Sequence, residues 1–338
     1  MTALSPTLFP LSLENIMQTV SEWFTSPTPQ PLGASDYHIP VLPRQTIDAF
    51  GEGGQKTIVD ATGGGGGHSE LLLQSGHRVI ALDRDLDALV QTRQRLAKYG
   101  DAFQVIHHNF SEIDIALASI GVSKVDGILA DFGVSSHQLD EAERGFSFMR
   151  SGPLDMRMNQ TQTLTARQVV EQYSEGDLKR IFQEYGEEKF SNRIAKLIVE
   201  TRQTQTFATT ADLADLISDR IGKREKIHPA TRVFQALRME VNDELGEIKT
   251  LLNKSLDLLS PGGRMALISF HSLEDRIVKR FITHHSKETI DRPEWPEPRP
   301  NPDYCLKRIT RKPLIADKDE CKINARSRTA KLRVAERI

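Results

Sequence analysis

The segment Asp60-Ala61-Thr62-Gly63-Gly64-Gly65-Gly66-Gly67-His68-Ser69 has the composition of a loop that cradles a ligand. Glycine permits positive φ and lets backbone come close to a bound molecule. The N-terminus of a following helix favours electronegative groups. Asp83 stands twenty residues beyond Gly63, and an acid there, at the end of a second strand, can accept both hydroxyls of a ribose. Loop and acid together point to a nucleoside-containing cofactor. The dinucleotide fingerprint G-x-G-x-x-G needs a third glycine for close packing of helix on strand. Counted from Gly63 that position is His68, and from Gly64 it is Ser69. The fingerprint fails in both registers, which favours S-adenosylmethionine, with no pyrophosphate to hold, over a nicotinamide dinucleotide. On this reading Gly66 must stay free of a side chain so that the cofactor can approach, and Gly66→Val should abolish binding with the fold intact.

A second constellation runs from Asp126 to Asp140, followed by Arg144-Gly-Phe-Ser-Phe and Gly152-Pro-Leu-Asp-Met-Arg-Met. Ligands of open α/β sheets bind beyond the carboxyl ends of the strands, so Asp131, Ser135, Ser136 and Gln138 fall at the expected crevice. His68, His228 and His271 lack ligand spacing with cysteines or acids, and the H-E-x-x-H pattern is absent; no metal is expected.

These residues need a scaffold. Thr57–Asp60, Val79–Leu82, Phe103–Ile106 and Val125–Ala130 are short apolar runs, each close to a polar residue and separated by helical stretches. That alternation predicts a parallel sheet covered on both faces. Residues 160–226 carry apolar residues at i, i+3, i+4 and i+7 with no strand between them, which predicts an all-helical insertion. A long helix is expected over the stripe Phe234, Leu237, Val241, Leu245, Ile248 and Leu252. Pro261-Gly262-Gly263 should then turn the chain into a fifth strand, Arg264–Phe270. Lys307–Thr310 and Lys331–Ala335 suit a closing hairpin. The expected domains are therefore a poorly ordered extension at 1–35 with one short helix near Leu13–Val20, an α/β domain at 36–140 and 227–338, and a helical substrate-recognition insertion at 141–226.

The 338 residues are 38% hydrophobic and 27% charged, ordinary soluble-globular values that exclude a fibrous or wholly disordered chain. No apolar run approaches the roughly 20 residues of a membrane span. Residues 1–35 hold no Lys or Arg, unlike a secretory signal or transit peptide. Two cysteines make no disulfide framework. A cytoplasmic location is the simplest expectation. Net charge is −2, yet residues 299–338 carry twelve Lys and Arg against five Asp and Glu. That uneven spread suits an RNA backbone without a basic pI, or a solvated tail. Lys223, Arg224, Lys226, Arg232 and Arg238 form a second basic segment.

The chain resembles the bacterial methyltransferases that modify the exocyclic N4 of a cytidine in small-subunit ribosomal RNA. The similarity is carried by His38-Ile-Pro-Val-Leu, Asp60 to Ser69, Asp126 to Asp140, Arg144 to Phe148, Gly152 to Met158, Tyr185-Gly-Glu-Glu, Lys226-Ile-His-Pro-Ala-Thr-Arg, Phe234-Gln-Ala-Leu-Arg, Ser269 to Phe281 and Ala330-Lys-Leu-Arg. The resemblance implies a class I methyltransferase fold, a Rossmann-like α/β sheet with an inserted all-helical domain. It implies S-adenosylmethionine as methyl donor, with cofactor contacts at Gly66, Gly67, His68, Asp83, Phe110, Asp131 and Gln138. Phe132 stands where the family pattern has Leu, Ser151 and Asn159 replace acids, and Ala325 replaces a Pro; none of these removes a proposed contact.

Cytosine N4 is a poor nucleophile because its lone pair is delocalised into the ring. Its methylation requires in-line positioning and acceptors that draw on the amine protons. Asp131, Asp155 and nearby backbone carbonyls are the acceptor candidates, with a structural partnership with Arg157 as the alternative reading of Asp155. Phe146 and Phe148 suit stacking on the target base, or ordinary core packing. Arg157, Arg326, Arg328 and Lys331 are candidate substrate contacts. The expected partner is small-subunit ribosomal RNA or the assembled subunit. A methyltransferase of a small molecule or protein is the alternative.

Overall fold

The computed structural model describes residues 39–51, 54–222 and 228–338. The N-terminal extension and its short helix, His38, Lys223, Arg224 and Lys226 lie outside the described residues. The chain divides into two compact units. One comprises residues up to Gly133 and from Glu247 to Ile338; the other is Val134–Gly246.

The first unit is built on seven strands: β1 (Thr57–Asp60), β2 (Arg78–Asp83), β3 (Phe103–His107), β4 (Val125–Asp131), β5 (Leu259–Ser269), β6 (Leu306–Arg308) and β7 (Lys331–Arg337). Their spatial order is β3-β2-β1-β4-β5-β7-β6. The first five pair in parallel, and β7 runs antiparallel to both β5 and β6. The parallel sheet is the one that the alternation of runs predicts, and its order is that of the class I methyltransferase fold that the resemblance implies. Its strand order reverses between β1 and β4, the switch point where open sheets of this kind bind ligands. The strands read as short apolar runs because helices cover them: Phe50, Leu72, Leu73 and Leu96 pack with Ile58, Val79, Leu129, Ala266 and Leu332 in one buried cluster. Helix Leu86–Leu96 is capped by Asp85, whose side chain accepts from Asp87 N.

Two sequence expectations are corrected here. The stripe from Phe234 to Leu252 is two helices, Thr231–Val241 and Glu244–Leu258, not one. Asp243 takes φ 43°. Asn242 turns its side chain to the neighbouring loop: Nδ2 donates to Met156 O at 2.8 Å and Oδ1 accepts from Met158 N at 2.8 Å. Helical periodicity is unaffected by such a break, so it gave no warning. The Pro261-Gly262-Gly263 triplet, in turn, does not precede β5 but lies within it. The register shifts between the Val125–Leu259 and Gly127–Arg264 pairings and Gly262 takes φ 78°, the mark of a bulge.

Among the described residues the second unit is built of helices around a core that includes Leu178, Phe182, Ile194, Phe207, Leu213 and Ile217. It extends beyond residues 141–226 at both ends. Helix Thr231–Val241 packs against Ala166–Gln172 and Glu175–Glu184, and Val134, Phe234, Leu237 and Val241 are buried in the same core. Gly152 sits where backbones meet: a Cβ there would stand 1.8 Å from Ala142 O, and its carbonyl accepts from Thr210 N at 2.8 Å.

Candidate active site

β1 ends at Asp60, and the glycine loop leads into helix Gly67–Gln74. Gly63 N donates to Leu82 O at 2.8 Å and Gly64 N to Asp83 Oδ2 at 2.7 Å. Asp83 Oδ1 accepts from Asp85 N at 2.8 Å. The acid expected to hold a ribose therefore also fixes the loop. A carboxylate offers about four lone-pair sites, so two backbone contacts leave acceptor capacity for two hydroxyls. Burial pushes the Asp83 carboxyl up to about 6, opposed by the hydrogen bonds from Asp85 and Gly64.

The loop is held from a second side by residues that sequence reasoning missed. The Thr92 hydroxyl donates to Gly64 O. Arg95 Nη1 donates to Gly65 O at 3.0 Å, while its Nε and Nη2 bind Glu70 Oε2 at 3.0 and 2.6 Å. Burial works to raise the Glu70 carboxyl, but Lys98 and Arg95 hold it below the ordinary range. Thr62 Oγ1 accepts from Asp131 N at 2.7 Å, tying the loop to the end of β4. Thr92 and Arg95 carry no local signal, because their partners lie about thirty residues earlier in the chain.

Gly66 caps the helix with φ 77°. A Cβ there would stand 3.0 Å from Thr92 Cγ2 and 3.1 Å from Leu96 Cδ1. The need for glycine is thus set by the loop's own conformation and packing, which corrects the expectation that Gly66→Val leaves the fold untouched. Left-handed backbone costs an ordinary residue roughly 1–2 kcal/mol, and a domain of about 150–250 residues loses about 2–4 °C of Tm per kcal/mol. Gly66→Val should therefore lower Tm by several degrees as well as abolish cofactor binding, measured by thermal unfolding and calorimetry. A wild-type Tm with binding lost would mean that the valine blocks the ligand directly.

His68 is buried, with Nε2 2.8 Å from Val41 O and Nδ1 3.8 Å from Asp131 Oδ2. Asp131 Oδ1 is buried and has no hydrogen-bond partner among the described residues. Burial raises the Asp131 carboxyl, and the nearby His68 and Arg326 work against that rise. Asp60, fully buried, accepts from Ser69 Oγ at 2.7 Å and Thr62 N at 3.2 Å. Phe110 opens a short turn after β3, its ring centroid 6.0 Å from that of Phe132. Gly66, Gly67, His68, Asp83, Phe110 and Asp131 all stand at or just after the carboxyl ends of β1 to β4. Gln138 does not join them in this unit. It lies in the helical unit, where its side chain accepts from Ser135 N at 3.1 Å and its own N–H donates to Ser135 Oγ at 3.1 Å, a capping box.

The helical unit gives the contacts of the other candidate residues. Asp155 binds Arg157 through both oxygens, at 2.8 and 2.7 Å, and Arg157 N donates to Asp155 Oδ1 at 3.0 Å. Arg157 Nη1 reaches the carbonyls of Gln160 and Gln162. The pair shapes its own loop, the structural reading of Asp155. Phe146 is buried in the helical core, as the packing reading expects. Phe148 is half-buried against Phe234 and His228, with centroids 4.9 and 4.5 Å away.

The basic C-terminal stretch is not a tail: β6 and β7 lie in it. Arg333 is buried and bidentate to Asp275 at 2.7 and 3.1 Å. Lys331 Nζ lies 3.9 Å from Asp275 Oδ2. The Arg326 guanidinium stands 5.5 Å from the Phe270 ring centroid, and Arg328 is exposed. His271 and Glu274 hold the end of β5, with Phe270 N donating to Glu274 Oε2 at 2.8 Å.

The sequence pattern of the MraW methylase family matches residues 35–338. The chain belongs to that family. Proteins named ribosomal RNA small subunit methyltransferase H are similar over nearly their whole length. That of Heliobacterium mobile is 47% identical over 309 residues, that of Caldicellulosiruptor bescii 47% over 305, and that of Clostridioides difficile 43% over 308. Each alignment covers 89% of this chain and 99% of the relative. The methylase uses S-adenosylmethionine, and the first unit has the groups that fit it. Asp83 retains acceptor capacity for a ribose, the first turn of helix Gly67–Gln74 offers amides without intrahelical acceptors, and the unpartnered Asp131 Oδ1 is suited to a donor or a cation. Among the described residues no helix is long and apolar enough to cross a membrane.

Proposed function

We propose that the methylase transfers a methyl group from S-adenosylmethionine to the exocyclic N4 of a cytidine in small-subunit ribosomal RNA, free or within the assembled subunit, in the cytoplasm. The nearly full-length match to relatives named for that RNA is the main support. Gly66, Gly67, His68, Asp83 and Phe110 hold the cofactor, which supplies an electrophilic methyl group on its sulfonium. Asp131, at the end of β4 and partly exposed, accepts the proton that N4 gives up. His68, beside Oδ2, works to keep that carboxylate charged against the effect of burial. Orientation and electrostatics of this kind supply most of the barrier reduction.

Small subunits from cells lacking the protein, incubated with the enzyme and methyl-labelled cofactor, should yield a labelled N4-methylcytidine on nucleoside mapping. Label in ribosomal protein, or none in RNA, would overturn the reading. Arg326, Arg328 and Lys331 are proposed phosphate contacts. Neutralising all three should flatten the salt dependence of substrate binding, each contact carrying a log–log slope of roughly 0.7–0.9, with cofactor affinity unchanged.

A further inference from the structure

Helix Ser272–His285 turns its two acids away from its outer face. Glu274 is fully buried and accepts from Phe270 N and His271 N. Asp275 holds Arg333 in a bidentate pair. The outer face is then left with Arg276, Lys279 and Arg280, spaced i, i+3, i+4 so that they lie side by side. With Lys287 they line a cleft of about 510 Å³, in which Asp291 is the one acid. Among the described residues the side chains of Lys279, Arg280 and Lys287 have no ion-pair partner. Elsewhere, exposed helical cations do find an acid one turn on: Arg167 lies 2.9 Å from Glu171, and Lys196 3.7 Å from Glu200.

The chain beyond the helix folds back onto the helix's C-terminal end. Buried Asn301 donates from Nδ2 to His284 O at 2.8 Å and Lys287 O at 2.9 Å, and His284 Nε2 lies 2.7 Å from Asp303 Oδ2. The loop pinned in this way carries Arg292 and Arg299, which stand 4.9 and 4.7 Å from the Trp295 ring centroid. Lys279, Arg280 and Lys287, exposed and without an ion-pair partner among the described residues, with Asp291 the one acid of the lining, leave a cationic surface complementary to a polyanion.

We propose that this cleft binds backbone phosphates of the ribosomal RNA substrate. The inference rests on the RNA reading of the function. An anionic membrane fits less well, because surface-lying helices bury apolar residues on the docking face, and the exposed positions here are cationic.

The test is the variant Lys279→Gln, Arg280→Gln, Lys287→Gln, all at exposed positions. Its binding to small subunits is measured against salt concentration beside wild type. The log–log slope should fall by roughly 2, since each lost contact removes roughly 0.7–0.9. Affinity at moderate salt should drop at least tenfold, with S-adenosylmethionine affinity unchanged. Equal slopes and equal affinity, in an enzyme that does methylate small subunits, would overturn the cleft assignment alone. A wild type that neither binds nor methylates them would overturn the RNA reading and the cleft with it. Loss of binding to phosphatidylglycerol vesicles with the RNA slope intact would assign the cleft to a membrane and sink the proposal.

Discussion

Replacing Asp83 by alanine should weaken S-adenosylmethionine binding by roughly ten- to a hundredfold. A hydrogen bond to a charged group contributes about 1.5–3 kcal/mol, and every 1.4 kcal/mol is about a factor of ten in affinity. Two effects act together, because the carboxylate that is to receive the ribose hydroxyls also holds Gly64 N and Asp85 N. Affinity should also depend on pH. The Asp83 carboxyl is pushed up to about 6, and the hydroxyl donors require the ionised form. Binding should therefore be strongest above that value and fall as the pH drops through it. Asp83→Asn should abolish that pH step. Calorimetry across this range checks both points; unchanged affinity in the alanine variant would remove Asp83 from the cofactor site.

The second large effect is expected at Asp131. Proton acceptance by a positioned side chain contributes typically about 10²–10⁴-fold, so Asp131→Asn should lower kcat by roughly that range. The cofactor Kd should change by less than about tenfold, since a single neutral hydrogen bond contributes only about 0.5–1.5 kcal/mol. Asparagine keeps the shape and the contact of the backbone N–H with Thr62 but cannot take a proton. Single-turnover rates beside cofactor Kd separate the two roles. A large rise in Kd with kcat intact would place Asp131 on the cofactor side alone.

The two variants probe the same end of the sheet by different routes, and the glycine loop connects them. Its carbonyls are held by Thr92 and Arg95, its amide by Asp83, and its entry by Thr62. Substitutions at Thr92 or Arg95 act on the cofactor through the loop, which makes them positioning residues.

What the sequence by itself determined is what neighbours along the chain decide. Strand runs, the glycine turn, the acid closing β2 and the apolar spacing of the helical insertion depend on a few consecutive residues, and all were legible without coordinates. So was the choice against a dinucleotide, because it rests on which residue stands at the third glycine position. Tertiary structure decided what depends on partners distant in sequence. Nothing in the local pattern shows that Asn242 breaks a helix by bonding Met156 and Met158, or that Phe146 lies in a core. Nor does charge counting show that Arg333, in the basic C-terminal stretch, is taken up by Asp275 from another element. The physical reason is the same in each case. Burial and pairing set whether a charged or aromatic side chain is structural or available for a ligand, and both are properties of the packed chain that periodicity and charge counts do not contain.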